Sequence, residues 1–426
     1  MAHHSTLDNT LRARIRATPN IVRVQLVGTL LNSASVVVKL FMPLLFRLEY
    51  GLDVQRIGLL MASYGAGCIY GAYAGGVLTQ KLDPRAMTAF CLCFSGGFAA
   101  FLATPLNLFS LFLLVPAIGA LDGAFRPANL RLVLETVAPS QAPWFQGVHR
   151  VCFNFGVALA GFIAAQLATH GYSSIFLVMG IVTMLGGILI GAYAQGPCPV
   201  KSARTPRRQR TTVRPTAYSP WHDRSFLLFI CAQLLALAIF DQMYGTFGLF
   251  LTSDYQLSNG WMGYLFALNA LAIVCFQLPA LKLIDRLGLA RTGQCGAILL
   301  AIAFPLLLLG NSSIYAIFTM ACLTAAEILL TPAWTLAVMD RSAHRDRGRY
   351  LGMFSAAWLG HSLYGPAVGM WIYAAWGGQT LWWTCCALGV AVWALQARTI
   401  GRWTVRLDKS SRARTTLRSP STNNDI

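Results

Sequence analysis

The sequence predicts an all-α membrane protein with twelve transmembrane helices in two pseudo-symmetric six-helix bundles. Of its 426 residues, 56% are hydrophobic and only 11% are charged, too few charges to cover a soluble protein of this length. Apolar stretches of about 20 residues, the length that crosses a bilayer, recur along almost the whole chain. The two halves also repeat each other at a constant offset of 205 residues.

The apolar stretches define twelve predicted spans. Because a backbone in lipid must satisfy its own hydrogen bonds, each span is predicted to be a helix. The spans cover residues 22–46, 55–79, 86–105, 108–135, 144–169, 174–195, 225–251, 259–283, 291–310, 312–338, 349–374 and 378–399.

The spans group into two bundles that a long polar segment separates. This segment is rich in Pro, Ser, Thr and Arg, which predicts a flexible linker. The end of the chain is polar and is predicted to be disordered. The predicted segments are an N-terminal segment 1–21, a first bundle 22–196, the linker 197–223, a second bundle 224–400 and a tail 401–426.

The internal repeat is visible in three separate parts of the chain. The matching pairs are Glu49 and Asp254, Tyr50 and Tyr255, Gly58 and Gly263, Leu78 and Leu283, Lys81 and Arg286, Pro127 and Pro332, Glu135 and Asp340, and Gly147 and Gly352. Asp122 falls on Glu327, so each half carries one acid at the same point of an apolar helix. One spacing in three segments indicates a duplicated bundle, the plan of many secondary transporters.

The formal charge of +18 lies mainly on one side of the predicted spans. Basic residues precede the first span, fill the linker and follow the eighth, tenth and twelfth spans, whereas the loops around 106, 171, 256, 311 and 376 contain no Lys or Arg. This bias predicts that both termini and the linker are cytoplasmic. A multi-pass protein of the plasma membrane (the bacterial inner membrane) is therefore expected, and the charge does not indicate a nucleic-acid partner.

Enzymatic and ATP-driven functions are not predicted. The sequence has no Gly-rich phosphate loop, no His/Glu zinc pair and no nucleophile elbow, and its eleven cysteines lie mostly within spans without metal-ligand spacing. We therefore expect no metal and no cofactor, and we expect the driving energy to come from a gradient.

Two short segments resemble the loop between the second and third spans of the major facilitator superfamily, which has the form G-x-L-x-D-R-x-G-R-K. The first copy keeps the glycine, the leucine and the basic positions, and the second keeps the Asp-Arg-x-Gly core. The candidate gating residues are Gly76, Leu78, Lys81, Asp83, Arg85, Asp285, Arg286 and Gly288, together with the matching acids Glu135 and Asp340. The resemblance implies the fold of that superfamily.

A second motif resembles bacterial drug:proton antiporter-like exporters within this superfamily. Arg126 and Pro127 near the end of the fourth span are followed by Arg150, Asn154 and Gly156 in the fifth. That order is similar to exporters in which span four ends in R-P and span five carries R-x-x-x-N-x-G. The resemblance implies proton-coupled export, with a coupling role for Arg126.

Four ionisable residues are candidates for proton coupling: Asp122, Glu327, Asp241 and Arg126. An ionisable group inside the bilayer is costly, so it usually faces a cavity or a partner. A carboxylic acid in such a site can carry a proton that a passing solute displaces. The other interpretation is that these acids form ion pairs with nearby arginines and hold helices together.

The polar residues that face a central cavity on this interpretation are candidates for substrate binding. They are Lys39, Asn32, Tyr64, Arg150, Asn154, Gln242, Tyr244, Asn269, Gln277 and His361. Lys39 in the first span indicates an acidic or zwitterionic substrate. Hydrogen bonds between helices explain the amide side chains equally well.

The leading prediction is a monomeric, proton-coupled exporter that moves a small organic molecule, such as a drug, a siderophore or another secondary metabolite, by alternating access. Its expected partners are that small-molecule substrate, protons and the lipid bilayer. One alternative is a proton-symport importer of an organic anion, with Arg126, Arg150 and Lys39 as anion ligands. Another is a membrane sensor that transports nothing.

Overall fold

The computed structural model describes residues 20–79, 81–136, 142–193, 220–341 and 347–416, and within these every regular element is a helix. The α-helices are α1 (Asn20–Leu48), α2 (Val54–Leu78), α3 (Pro84–Phe101), α4 (Leu108–Thr136), α5 (Ala142–Leu167), α6 (Tyr172–Ala192), α7 (Arg224–Asp241), α8 (Thr246–Ser253), α9 (Trp261–Leu287), α10 (Leu289–Ala303), α11 (Ser313–Arg341) and α12 (Arg347–Thr416). Nine helical segments in this part of the chain are long and apolar enough to cross a membrane.

Each of the twelve predicted spans coincides with a described helix, which confirms the predicted fold class. Helices α1 to α6 are the first six spans, and α9, α10 and α11 are the eighth, ninth and tenth. The seventh span is α7 followed by α8, with a 3-10 turn over Gln242–Tyr244 between them. The eleventh and twelfth spans lie in α12, which is interrupted at Gly377 by a left-handed φ of 79°.

The segments outside the predicted bundles are described only in part. Residues 1–19 and 194–219 lie outside the described residues, and Pro220–His222 form a 3-10 turn before α7. Helix α12 continues to Thr416, past residue 401 where the predicted tail begins. An established helix is extended at little cost by good helix formers such as Arg and Lys, which are frequent there.

The contacts divide the chain into two compact units that do not follow the sequence halves. The first unit contains the described residues within Met1–Thr211, Met243–Val274 and Ser362–Ala374, and therefore α1 to α6, α8, the first part of α9 and a segment of α12. The second contains those within Thr212–Gln242, Cys275–His361 and Ala375–Ile426.

Glycines bring α2 and α4 into backbone contact in the first unit. Gly67, Gly71 and Gly75 are spaced four residues apart along α2, so they share one face of that helix. A Cβ at Gly71 would overlap the carbonyl oxygen of Ala120, and a Cβ at Gly75 would lie 2.7 Å from the Cα of Ala124. Small residues at this spacing allow membrane helices to approach closely, and this contact positions the middle of α4.

Gly71→Ala is expected to disrupt this contact and sharply lower the yield of folded protein. Alanine favours a helix by about 1 kcal/mol over glycine, so any loss must come from the overlap with α4. The measurement is the fraction of monodisperse protein after membrane extraction and size-exclusion chromatography. Gly97→Ala in α3 is the matched control, because a Cβ there meets nothing within 4 Å. Equal yields from the two variants would contradict the packing described here.

In the second unit, an ion pair fixes the start of α7 against α11. The guanidinium of Arg341 donates to both carboxylate oxygens of Asp223, at 3.0 Å each, and the hydroxyl of Tyr350 donates to it at 3.1 Å. Burial raises the pKa of Asp223, but these hydrogen bonds and that from the backbone of Phe226 outweigh it and hold the pKa below its ordinary value. Asp223 is therefore a permanently ionised, structural acid.

Candidate functional site

Asp122 lies half-buried on α4, and side chains from two other helices bond to it. The hydroxyl of Tyr64 on α2 donates to Oδ2 at 2.7 Å, and the hydroxyl of Ser95 on α3 donates to Oδ1 at 2.8 Å. The backbone contact between α2 and α4 explains how Tyr64 reaches this depth. Both carboxylate oxygens are thus satisfied by hydroxyl groups.

Hydroxyl partners allow Asp122 to change its protonation state without losing hydrogen bonds. A hydroxyl can donate to a carboxylate, and after rotation it can accept from a carboxylic acid. Asp223 differs, because the guanidinium of Arg341 and the backbone N–H of Phe226 can only donate. The chemistry of its partners therefore suits Asp122 to reversible proton binding and Asp223 to a fixed charge.

The repeat does not reproduce this site around Glu327. That residue is half-buried on α11. At the repeat offset, the residues that match Tyr64 and Ser95 are Asn269 and Leu300, both of them buried. The duplication therefore places an acid in each half without placing the two hydroxyls beside both acids.

The ammonium group of Lys39, on α1, lies between two aromatic rings of the first unit. Its Nζ is 4.6 Å from the ring centroid of Tyr244 and 5.6 Å from that of Tyr64, which are cation–π distances. Among the described residues, no carboxylate lies within the 4 Å ion-pair distance of this ammonium group. Its positive charge is thus available to a ligand.

Lys39 and Asp122 line the same narrow pocket within the first unit. Its remaining lining residues are Ser35, Ser95 and Thr183, which are polar, and Val38, Met42, Ala99 and Ile118, which are apolar. One cation, one acid and several hydroxyls therefore line a single space, which is closed in this structure and has no room for a water molecule.

The seventh span is interrupted between α7 and α8. The 3-10 turn Gln242–Tyr244 and the non-helical Gly245 (φ −120°, ψ −95°) separate α7 from α8. Gln242 is buried and its amide donates to the carbonyl of Ala238 at 2.9 Å. The ring of Tyr244 packs edge-on against Phe266 at 5.4 Å, which orients it toward Lys39.

Asp241 and His361 form a buried pair in the second unit. His361 Nδ1 lies 2.6 Å from Asp241 Oδ2. The side chain of Asp241 is 1% exposed and that of His361 is 15% exposed. These residues were predicted separately, as a coupling acid and a substrate ligand, and the structure brings them together.

The two predicted arginines are both exposed. Arg126 lies one helical turn from Asp122 on α4, so the two residues share a face of that helix. Arg150 lies on α5, where its carbonyl accepts a hydrogen bond from Asn154 at 2.9 Å. The amide of Asn154 is therefore bonded within its own helix.

The remaining predicted amides are wholly or partly buried. Asn32 accepts a hydrogen bond from Ser35 at 3.4 Å on the same helix. Gln277 is half-buried and donates to the carbonyl of Ile328 at 3.5 Å, a contact from α9 to α11. Asn269 is buried on α9. Of the two interpretations of these amides, substrate binding and hydrogen bonding between helices, the second thus describes Gln277.

The predicted gating residues lie at the ends of helices and in the turns after α2 and α9. Asp83 caps α3 by accepting from the backbone of Arg85, and Gly288 begins α10 with a left-handed φ of 78°. Among the others, Arg85 is buried and Gly76 partly buried, Leu78, Lys81, Arg286 and Asp340 are exposed, and the side chains of Asp285 and Glu135 lie outside the described residues.

Several polar residues were not predicted from the sequence. Ser95 completes the bonding of Asp122, although a lone serine in an apolar helix carries no distinguishing signal. Gln25 donates to Asn129 Oδ1 at 3.0 Å, and Asn129 Nδ2 lies 3.2 Å from His149 Nε2, so this network joins α1, α4 and α5. The one sequence signal for this network was that Asn129 lies in the motif that begins at Arg126.

Helices apolar enough to cross a membrane, with an acid and a lysine inside them, are features of a membrane transporter. A sequence profile of the Major Facilitator Superfamily matches residues 26–262 and 230–420. The chain belongs to the Major Facilitator Superfamily. It is a multi-pass membrane transporter of that type, as the resemblance predicted.

A curated relative and several solved structures are similar to the chain. The 4-hydroxybenzoate transporter PcaK of Pseudomonas putida is 20% identical over 263 residues, which are 59% of this chain and 56% of that protein. The chain thus spans little more than half the length of this relative. The relative's name does not confirm the narrower resemblance to drug:proton antiporters.

The solved structures share the fold at low sequence identity. The nucleoside transporter NupG has a TM-score of 0.71 at 13% identity, over 89% of this chain and 99% of its own. A peptide transporter POT in complex with sulfate has a TM-score of 0.73 at 15% identity, over 90% and 96%. A POT family transporter in complex with 5-aminolevulinic acid has a TM-score of 0.73 at 12% identity, over 91% and 97%.

Proposed function

We propose that this transporter carries a small organic anion together with a proton in the same direction. The observation that supports this proposal is the pocket that Lys39 and Asp122 share. Lys39 supplies the positive charge for the anion, and Asp122 supplies the proton site. This function is that of an importer, the alternative to export that the sequence left open.

Charge balance favours binding the anion and the proton together. With Lys39 protonated and Asp122 ionised, the pocket carries one positive and one negative charge. An anion beside Lys39 adds a second negative charge, and a proton on Asp122 cancels it. Because charges interact much more strongly in a poorly hydrated site than in water, the anion favours the protonated acid. Two ligands that favour each other's binding are carried together.

Aromatic residues and the curated relative support a carboxylate that carries a ring. Tyr64 and Tyr244 flank the ammonium group of Lys39, and Phe266 packs against Tyr244. Such surfaces stack well on an aromatic substrate. The relative is named for 4-hydroxybenzoate, an aromatic carboxylate. We therefore propose aromatic and other small monocarboxylates as the substrate class.

Transport in proteoliposomes tests this function. We expect 4-hydroxybenzoate and benzoate to accumulate inside when the outside is made acidic, and a protonophore to abolish the accumulation. Bis-cationic and neutral drugs serve as the comparison set. Accumulation of those drugs, driven by protons moving in the opposite direction, would overturn the proposal in favour of the predicted exporter. An absence of any solute-dependent proton flux would favour the sensor.

The remaining features of the proposal concern the membrane. The basic linker and termini support a cytoplasmic location for both ends of the chain, in the bacterial inner membrane. A monomer is proposed as the transporting unit, because one chain holds both the acid and the lysine of the site.

A further inference from the structure

We infer that Asp241 and His361 form a second proton-binding site, separate from Asp122, whose proton binds at His361 Nε2. The inference goes beyond the proposed function and rests on it for the substrate and for the direction in which the proton moves. It rests on the geometry of the pair, on an unsatisfied oxygen and on the position of the pair beside the break after α7.

The geometry of the pair assigns the two imidazole nitrogens. The 2.6 Å contact joins His361 Nδ1 to Asp241 Oδ2. When Asp241 is ionised, Nδ1 carries a hydrogen and donates it to the carboxylate. Nε2 of a neutral imidazole is then the nitrogen with a free lone pair. Asp241 thereby acts as a positioning residue that fixes the tautomer and ring orientation of His361.

The second carboxylate oxygen shows that the negative charge of the pair is incompletely compensated while His361 is neutral. Asp241 Oδ1 is buried and accepts no hydrogen bond from any part of the chain that the structure describes. A buried ionised carboxylate with an empty acceptor site is costly. A proton on His361 Nε2 turns the imidazole into an imidazolium, which places a full positive charge against the carboxylate. The proton adds to the lone pair of Nε2, and the Nδ1 hydrogen stays on the bond to Asp241.

The surroundings provide no competing charge. From α12 itself the ring of Trp358 packs edge-on against His361, with centroids 6.4 Å apart. No other charged side chain within the described ranges lies within 4 Å of either residue. The charge of the pair therefore changes from −1 to 0 when the proton binds.

The position of the pair connects it to the proposed substrate site along the chain. Asp241 is the last residue of α7, and Tyr244, which contacts Lys39, lies three residues further on. The 3-10 turn between them is the non-α-helical part of the seventh span. A single short turn therefore links Asp241 to a residue that contacts Lys39.

If two protons accompany each monocarboxylate, each transport cycle moves one net positive charge, and the resulting current tests the inference. In proteoliposomes, we expect the wild-type protein to carry two protons per 4-hydroxybenzoate and to produce an inward positive current. His361→Gln keeps a donor for Asp241 but cannot take up a proton. We expect this variant to carry one proton per anion without net current. His170→Gln, in the turn after α5, is the matched control and should behave as the wild type.

Two outcomes would overturn the inference: a wild-type ratio of one proton per anion, or an unchanged ratio of two in His361→Gln. If His361→Gln does not fold, histidine nitrogen NMR of the wild type in nanodiscs tests the same claim. At high pH the hydrogen of His361 should lie on Nδ1, and at low pH both nitrogens should carry a hydrogen. If the inference is wrong, the hydrogen should remain on Nε2 alone. This titration needs no substrate, so it separates failure of this site from failure of the proposed function.

Discussion

Asp122→Asn is expected to remove the proton-driven accumulation that depends on this site, while exchange of the anion between the two sides continues. Asparagine has the shape of the protonated acid. Its oxygen can accept from one of the hydroxyls of Ser95 and Tyr64 and its amide nitrogen can donate to the other, but it cannot release a proton. One coupled proton supplies about a tenfold accumulation per pH unit of gradient. The variant should lose this factor in uptake assays and retain counterflow of labelled substrate.

A surface acid provides the control for this variant. Asp53 caps α2 and forms an exposed ion pair with Arg56 at 3.0 Å. Asp53→Asn should therefore leave the accumulation ratio unchanged. Retention of full proton-driven accumulation by Asp122→Asn would show that another group carries the proton, with the Asp241–His361 pair and Glu327 as the remaining candidates.

Lys39→Gln is expected to weaken binding of the organic anion by about 10- to 100-fold. A hydrogen bond to a charged partner contributes about 1.5–3 kcal/mol, and each 1.4 kcal/mol is a factor of about ten in affinity. Glutamine keeps a donor in the pocket but removes the positive charge. Binding of 4-hydroxybenzoate, measured by calorimetry or by the substrate dependence of counterflow, should show the loss.

Lys81→Gln is the matched control, because Lys81 is exposed in the turn after α2. Its affinity for the anion should equal that of the wild type. If Lys39→Gln binds organic cations more tightly and the anion equally well, Lys39 repels the substrate instead of binding it. That pattern would favour the exporter that the sequence predicts.

The sequence contains enough information to predict the helices. Membrane spans depend on length and hydropathy, so predicted boundaries such as 108–135 fall within a few residues of the observed Leu108–Thr136. The turn near residue 376 is likewise observed, at Gly377. The break at Gln242–Gly245 was not predicted, because the span was defined by its length and mean hydropathy and not by the Asp241, Gln242 and Gly245 that stand there.

The candidate site was predicted as single residues and not as contacts. Asp122, Tyr64 and Lys39 were each named, but Tyr64 lies 58 residues from Asp122 and Ser95 lies 27 residues away. Such pairings depend on how helices approach one another, which hydropathy does not encode. The same limit applies to His361 and Asp241, which are 120 residues apart.

The repeat aligns the two acids but does not align the partners of Asp122. Glu327 was given the same role as Asp122 because the repeat aligns them. However, Leu300 stands where Ser95 would be expected, and an alkyl chain can neither donate to a carboxylate nor accept from an acid. Duplication preserves helix length and packing, whereas the partners of a single acid can diverge in either half.

The proposed transport requires that the anion and the proton favour each other's binding, and proton uptake or release on anion binding measures this directly. When 4-hydroxybenzoate is added to the purified transporter in weakly buffered detergent solution, the protein should take up protons and the pH should rise, with a smaller rise for Asp122→Asn. Release of protons on binding would mean that solute and proton compete, and it would contradict transport of both in one direction.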